Sequence, residues 1–245
     1  MKAIDTAILR DLAPHGHFRA AINFANAALA QRDPDSGKPG GVSVALALAL
    51  GKHLGVSTEL VPYPAAGAVV NAMQEDAWDV AFLAMDPVRA ESMTFTPAYV
   101  QIGACYMVHA DSPLRRSEDV DAPGIRVAVG KGAAYDLHLT RSLKHAQLER
   151  RSTAADAFAL FESVPLDAAA GVRRVVEQYA ATRQHLRVMP DNFLAIDQAL
   201  CLPKGREAGA AWLCEFVELM KRTGFVADAL ARTGQTGATV APPAK

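Results

Sequence analysis

The chain has few reactive or sulfur-bearing side chains. Of its 245 residues only three are cysteine: Cys105, Cys201 and Cys214. An odd count at wide spacing excludes a disulfide framework and a cysteine zinc site. All three lie in apolar stretches, so buried thiols are expected. No charge of one sign dominates, with 25 Lys+Arg against 26 Asp+Glu. That balance leaves no basic field for nucleic acid. No apolar run reaches the roughly 18 residues of a transmembrane helix. The histidines, such as His138 and His145, show no H-x-x-x-H spacing, so neither metal nor cofactor is expected. The start, "MKAIDTAILRDLAPHG", lacks a leader pattern, because Asp5, Arg10 and Asp11 interrupt any apolar core.

What is present is an alternation of apolar strands and amphipathic helices. "GHFRAAINFA" (16–25) reads as a strand, and "RDPDSGKPGG" (32–41) as a turn. That turn superficially matches a calcium loop, but Val44 stands where the bidentate glutamate belongs. "VSVALALALGKHLG" (42–55) reads as a helix stopped by Gly55. A strand (57–63), a helix (67–77) and a buried strand, "WDVAFLA" (78–84), follow. The middle repeats the rhythm with strands at 102–111, 125–130, 146–151, 166–172 and 186–190. Helices are expected at 133–145, 153–163 (N-cap Ser152 or Thr153) and 173–183. An extended segment (193–205), a long helix (206–224), a short one (225–234) and a loose tail, "ATVAPPAK", complete the chain. The alternation implies an α/β class with a mainly parallel sheet covered on both faces. Two such units suggest two lobes: 1–103 plus 199–245, and 104–193, with 194–198 as the return crossing.

Several segments in this order resemble the extracellular solute-binding proteins, family 3, the amino-acid type of type II periplasmic binding proteins. They are "DSGKPGGVSVALALALGKHLG", "MQEDAWDVAFLAMDPVRAESMTFTPAY", "IRVAVGKGAAYD", "LDAAAG" and "LPKG". The resemblance runs from about Gly16 to Gly234. It implies a two-lobed type II fold with a hinge and an interlobe cleft. It also implies a periplasmic substrate-binding component of an ABC-type uptake system, with a transporter permease as partner. The arginine that clamps the ligand carboxylate in that family falls at Arg89, after the strand ending at Ala84. A guanidinium suits that task because its planar fork meets a carboxylate with two parallel hydrogen bonds. The resemblance adds the loop Lys131, Gly132, Ala133 and Ala134, whose amides at a helix start suit an anion.

The departures matter as much. The acid that holds an α-ammonium is absent, since its place falls at Val172, beside Arg173. Asn23, with Phe24 and Asn26 nearby, stands where the first strand often carries an acid. The stacking ring would fall near Ala66, and Tyr63 is the closest aromatic. A buried ammonium needs an anion or several acceptors. Either Asp86 supplies it and the ligand is amino-acid-like, or the ligand is another carboxylate held by Arg89, the loop and Lys131 or Arg173. The plain alternatives are a surface Arg89 bridged to Asp86 or Glu91 and a solvated Arg173. Catalysis has no positive support, although a dehydratase of this fold would need a general acid such as Asp86 or Glu177. The expected function is therefore binding of an amino acid or other small carboxylate by a monomer. The N-terminus also leaves open a cytoplasmic protein that senses a metabolite.

Overall fold

The computed structural model describes residues 3–33, 35–234 and 237–244. Pro34 of the expected turn and Lys245 of the expected tail lie outside them, as do Met1 and Lys2. The chain forms two compact units, Met1–Gln101 with Asp197–Lys245, and Ile102–Ile196.

The first unit opens with α1 (Thr6–Leu12), β1 (Phe18–Asn23), β2 (Gln31–Arg32), β3 (Pro39–Gly40), α2 (Val42–Leu54), β4 (Thr58–Tyr63) and α3 (Ala66–Ala72). It continues with β5 (Val80–Ala84), α4 (Pro87–Ala90) and the first part of β6 (Met93–His109). The second unit holds the rest of β6, then β7 (Arg126–Gly130), α5 (Ala134–Ser142), β8 (Gln147–Arg151) and α6 (Ala154–Ser163). β9 (Ala168–Val172), α7 (Arg173–Ala180) and β10 (Leu186–Val188) follow. β11 (Leu194–Pro203) returns the chain to the first unit, which ends with α8 (Glu207–Arg222), α9 (Phe225–Arg232) and β12 (Ala238–Val240).

In the first unit β1 lies between β4 and β5, parallel to both, with Asn23 opposite Tyr63 and Ala20 opposite Val80. β11 runs antiparallel to β5, with Gln198 opposite Ala84. Every residue of β5 is buried, as an apolar run covered on both faces requires. One face carries Ala21, Val69, Trp78, Ala81, Leu83, Met93 and Cys201, and the Trp78 indole donates to the Val69 carbonyl at 2.9 Å. On the other face Phe82 meets Tyr99 edge-on, and the Tyr99 hydroxyl lies 3.0 Å from Ser43 Oγ of α2. Gly41 enters α2 at φ 100°, and a Cβ there would come within 2.3 Å of the Leu29 carbonyl oxygen. Only glycine tolerates both demands.

Two regions depart from expectation. The N-terminus forms α1 because Asp5 caps it, accepting the Ala7 and Ile8 N–H groups. The tail is not loose over its described length. β12 pairs with β6, the Ala241 N–H donates to the Tyr99 carbonyl at 3.1 Å, and Lys221 Nζ holds the Pro242 carbonyl at 2.8 Å. A chain terminus without periodicity suggested looseness, but β6 and Lys221 supplied partners.

In the second unit β7 runs parallel to β8 and β9, and β6 pairs antiparallel with β9 and β10. Cys105, Met107, Phe158, Phe161 and Val176 centre its core. Burial pushes the Cys105 and Cys201 thiols up to about 12, so both are inert. Thr153 is the N-cap of α6, accepting the Asp156 N–H at 3.1 Å. Asp33 holds a local turn by accepting the Ser36 N–H at 2.8 Å and the Ser36 hydroxyl at 2.7 Å. Among the described residues no helix is long and apolar enough to cross a membrane.

Candidate functional site

Ligands of open α/β sheets bind outside the carboxyl ends of the strands. In the first unit β4, β1 and β5 end side by side at Tyr63, Asn23 and Ala84. The local sequence shapes this edge. Asn23 Oδ1 accepts the Ala25 N–H at 3.1 Å, which turns the chain as β1 ends. The Phe24 N–H donates to the Tyr63 carbonyl at 3.0 Å. The Phe24 ring is already covered, with the Arg32 guanidinium 4.5 Å from its centroid. Asn26 Oδ1 is buried without a hydrogen-bond partner among the described residues. Tyr63 packs on the Trp78 side of the sheet, and burial raises its phenol above the ordinary range.

Arg89 is not a surface residue. It stands on α4, one short turn beyond β5, and is only 3% exposed. Its Nη1 donates to the Ala84 carbonyl at 2.9 Å. Burial lowers its affinity for a proton, while Cys201 and the Asp86 carboxylate act in the opposite sense. Asp86 is buried too and forms the N-cap of α4, accepting the Val88 N–H at 2.9 Å. Pro87 follows at the first helical position, where its missing N–H costs nothing. Asp86 thus fixes the helix that carries Arg89 and stands close enough to favour its charge.

The second unit treats its candidates differently. The Lys131 N–H donates to the Arg151 carbonyl at 2.7 Å, and the Ala133 N–H to the Gly130 carbonyl at 3.2 Å. Gly132, at φ 73°, turns its N–H onto Asp136 Oδ2 at 2.8 Å. Asp136 is buried, and its other oxygen accepts from Arg150 Nε at 2.9 Å. The loop amides at 131–133 are therefore engaged inside the unit, and Ala134 begins α5. Arg173 is not a solvated residue either. Its Nε donates to Asn192 at 2.6 Å and its Nη2 to the carbonyls of Met189, Pro190 and Asp191, while Nη1 reaches Glu177 at 3.4 Å. Each guanidinium nitrogen has a partner in the second unit, so Arg173 pins the 189–192 segment. Among the described residues no cluster of His, Cys, Asp or Glu could hold a metal.

Sequence reasoning missed Gln198, Asp136 and Arg32. Gln198 is 3% exposed and lies directly across from Ala84. Its only signal was a lone carboxamide inside an apolar run, "AIDQALCL". Asp136 could have been found, since an acid in the first turn after a glycine loop is a capping pattern. Arg32 carried no pattern at all, because a two-stranded hairpin with β3 brings it to Phe24.

The sequence model of the bacterial extracellular solute-binding proteins, family 3, matches residues 21–233. The chain belongs to this family, and its α/β fold is that of the type II periplasmic binding proteins. Solved structures of similar proteins share it. An amino acid ABC transporter substrate-binding protein from Streptococcus pneumoniae, bound to L-arginine, superposes with TM-score 0.77 at 18% identity, covering 91% of this chain and 96% of that one. The cysteine-binding protein from Campylobacter jejuni gives 0.77 at 17%, covering 94% and 93%. An ancestral amino acid-binding protein, a precursor of cyclohexadienyl dehydratase, gives 0.75 at 23%, covering 91% and 98%. A comparison with functionally curated proteins found no match.

Proposed function

We propose that the chain binds a small carboxylate-bearing solute at the carboxyl edge of its first unit, with Arg89 as the anion anchor. In this reading it works as a monomer, as the substrate-binding component of an ABC-type uptake system. The observation that carries it is the burial of the Arg89 guanidinium at that edge, oriented by the Ala84 carbonyl. A carboxylate can meet the planar fork of a guanidinium with two parallel hydrogen bonds. The family and its transporter-linked relatives support the same assignment.

The test is titration calorimetry and thermal shift against a panel of amino acids and organic acids, with Arg89→Ala and Arg89→Lys beside the unaltered chain. Arg89→Ala should weaken binding about a hundredfold, roughly 3 kcal/mol. Lysine keeps the charge but not the fork, so it should fall between. Equal binding by Arg89→Ala would overturn the assignment. A second, enzymatic reading is favoured only by the relative named as a dehydratase precursor. It would ask Asp86 to act as an acid while capping α4. Turnover of prephenate or arogenate would establish it.

A further inference from the structure

Charge is segregated along the strands of the first unit. Near their amino ends Arg19 meets Asp79 at 2.8 Å and Asp76 at 3.3 Å, Arg206 meets Asp76 at 3.3 Å, and His17 lies 3.3 Å from Glu59. At their carboxyl ends the connecting segments are neutral. Residues 23–31, from the end of β1, and 60–74, from the end of β4 through α3, contain no charged side chain. After β5 stand Asp86 and Arg89, with Glu91 at the far end of α4. Asp86 is engaged as the α4 cap. Two further charged residues adjoin this edge and both are engaged. Asp197, whose carbonyl accepts the Met85 N–H, takes a hydrogen bond from Gln101 Nε2 at 2.7 Å. Arg32 donates to the Gly37 carbonyl at 3.3 Å and lies over the Phe24 ring.

Two of the four large apolar side chains exposed among the described residues stand here, Met85 at 43% and Val88 at 50%. They bracket Asp86, and both lie within four residues of Arg89. The fold calls for neither. The Asp86 cap holds α4, and Pro87 begins it. A residue before a cap can bury itself against the fourth helical residue, but that residue is Ala90 and Met85 stays open. Valine is β-branched and a weak helix former, so nothing local favours it on an exposed turn. Exposed apolar groups gathered beside a polar anchor mark a surface that another apolar group covers. Pro64, Ala65 and Ala66 continue the same neutral, apolar composition after β4.

We propose that the solute joins the carboxylate held by Arg89 to an apolar, uncharged body, and that Met85 and Val88 determine this specificity by covering it. The inference rests on the Arg89 reading for the carboxylate. A solute with a charge at its far end would lose water against Met85 and Val88 without gaining a partner, and that loss is costly. An apolar body gains instead, because it and the two exposed side chains leave water together. The class is therefore carboxylates with one apolar arm, as distinct from dicarboxylates and from basic amino acids.

Calorimetry with matched pairs tests it: L-norleucine against L-lysine, L-methionine against L-glutamate, and hexanoate against adipate. In at least one pair the member with the apolar end should bind about tenfold more tightly, or better, and in no pair should the charged end win. Met85→Ser should weaken that member about tenfold and Val88→Thr about threefold, through lost apolar cover. Both variants should melt with the parent, because each side chain is exposed. A charged-ended member bound as tightly as its partner would overturn the inference, as would affinities unmoved by both variants. If charged-ended members bind and Arg89→Ala abolishes that binding, only the inference of an apolar body falls. If no member of any pair binds, both readings fall.

Discussion

The carboxyl edge of the first unit and the glycine loop of the second handle polar groups in opposite ways. At the edge, Asn26 Oδ1 is buried without a partner among the described residues. In the loop, the Gly132 N–H is met by Asp136, Asp136 by Arg150, and the nitrogens of Arg173 by the 189–192 segment. A satisfied network rigidifies its surroundings and resists change. An unsatisfied one costs stability until something binds. Side by side, the two regions teach that a motif's resemblance to an anion seat is weaker evidence than where its hydrogen bonds already go.

The sharpest way to break this contrast is to remove the pin of the second unit. Arg173→Met leaves the carbonyls of Met189, Pro190 and Asp191 without their donor, and should cost roughly 3 kcal/mol in urea unfolding. Solute affinity per folded molecule should stay within twofold. An affinity loss that exceeds the stability loss would return Arg173 to the ligand. Asp136→Ala should cost about 2 kcal/mol by orphaning Gly132 and Arg150, again with little change in affinity. If that variant instead gains or loses solute binding, the loop is part of the seat.

A smaller effect is tied to pH. Asp121 accepts the N–H groups of His145, Ala146 and Lys144, and these bonds hold its carboxyl below the ordinary range against a lesser opposing effect of burial. A depressed carboxyl contributes stability above its unfolded value and loses it as pH falls through the folded one. Asp121→Asn should therefore melt below the parent at pH 7, with the gap closing in strong acid. A gap that persists at the lowest pH would show that geometry, not charge, carries the effect. The smallest change is Arg32→Ala. It uncovers the Phe24 ring, should cost about 0.5 kcal/mol, and tests whether that ring can serve a ligand once freed.

Much of the fold was legible because its signals are local. The β5 run, "VAFLA", reads as buried on both faces from five apolar residues in a row. Gly55 stops α2 in the left-handed conformation, as its place after "GKHL" suggested. The site was legible only in part. Arg89 was singled out through the family resemblance, just after β5, but nothing in its neighbours told that it would be buried. Arg173 kept its ambiguity because its partners lie on a segment past the next strand. Gln198 escaped notice because neutral amides carry no charge pattern.

The sequence alone determined the family, the order of strands and helices, and the placement of Arg89 just beyond a buried strand. Periodicity, turn residues and caps act over a few residues, so they can be read along the chain. Tertiary structure decided which polar groups are spent and which are left over. Asp136 closes the loop that looked open, and β11 brings Gln198 opposite Ala84 from far along the chain. The physical reason is that a hydrogen bond is fixed by distance and direction between folded elements. A sequence records the donor and the acceptor, but not the meeting.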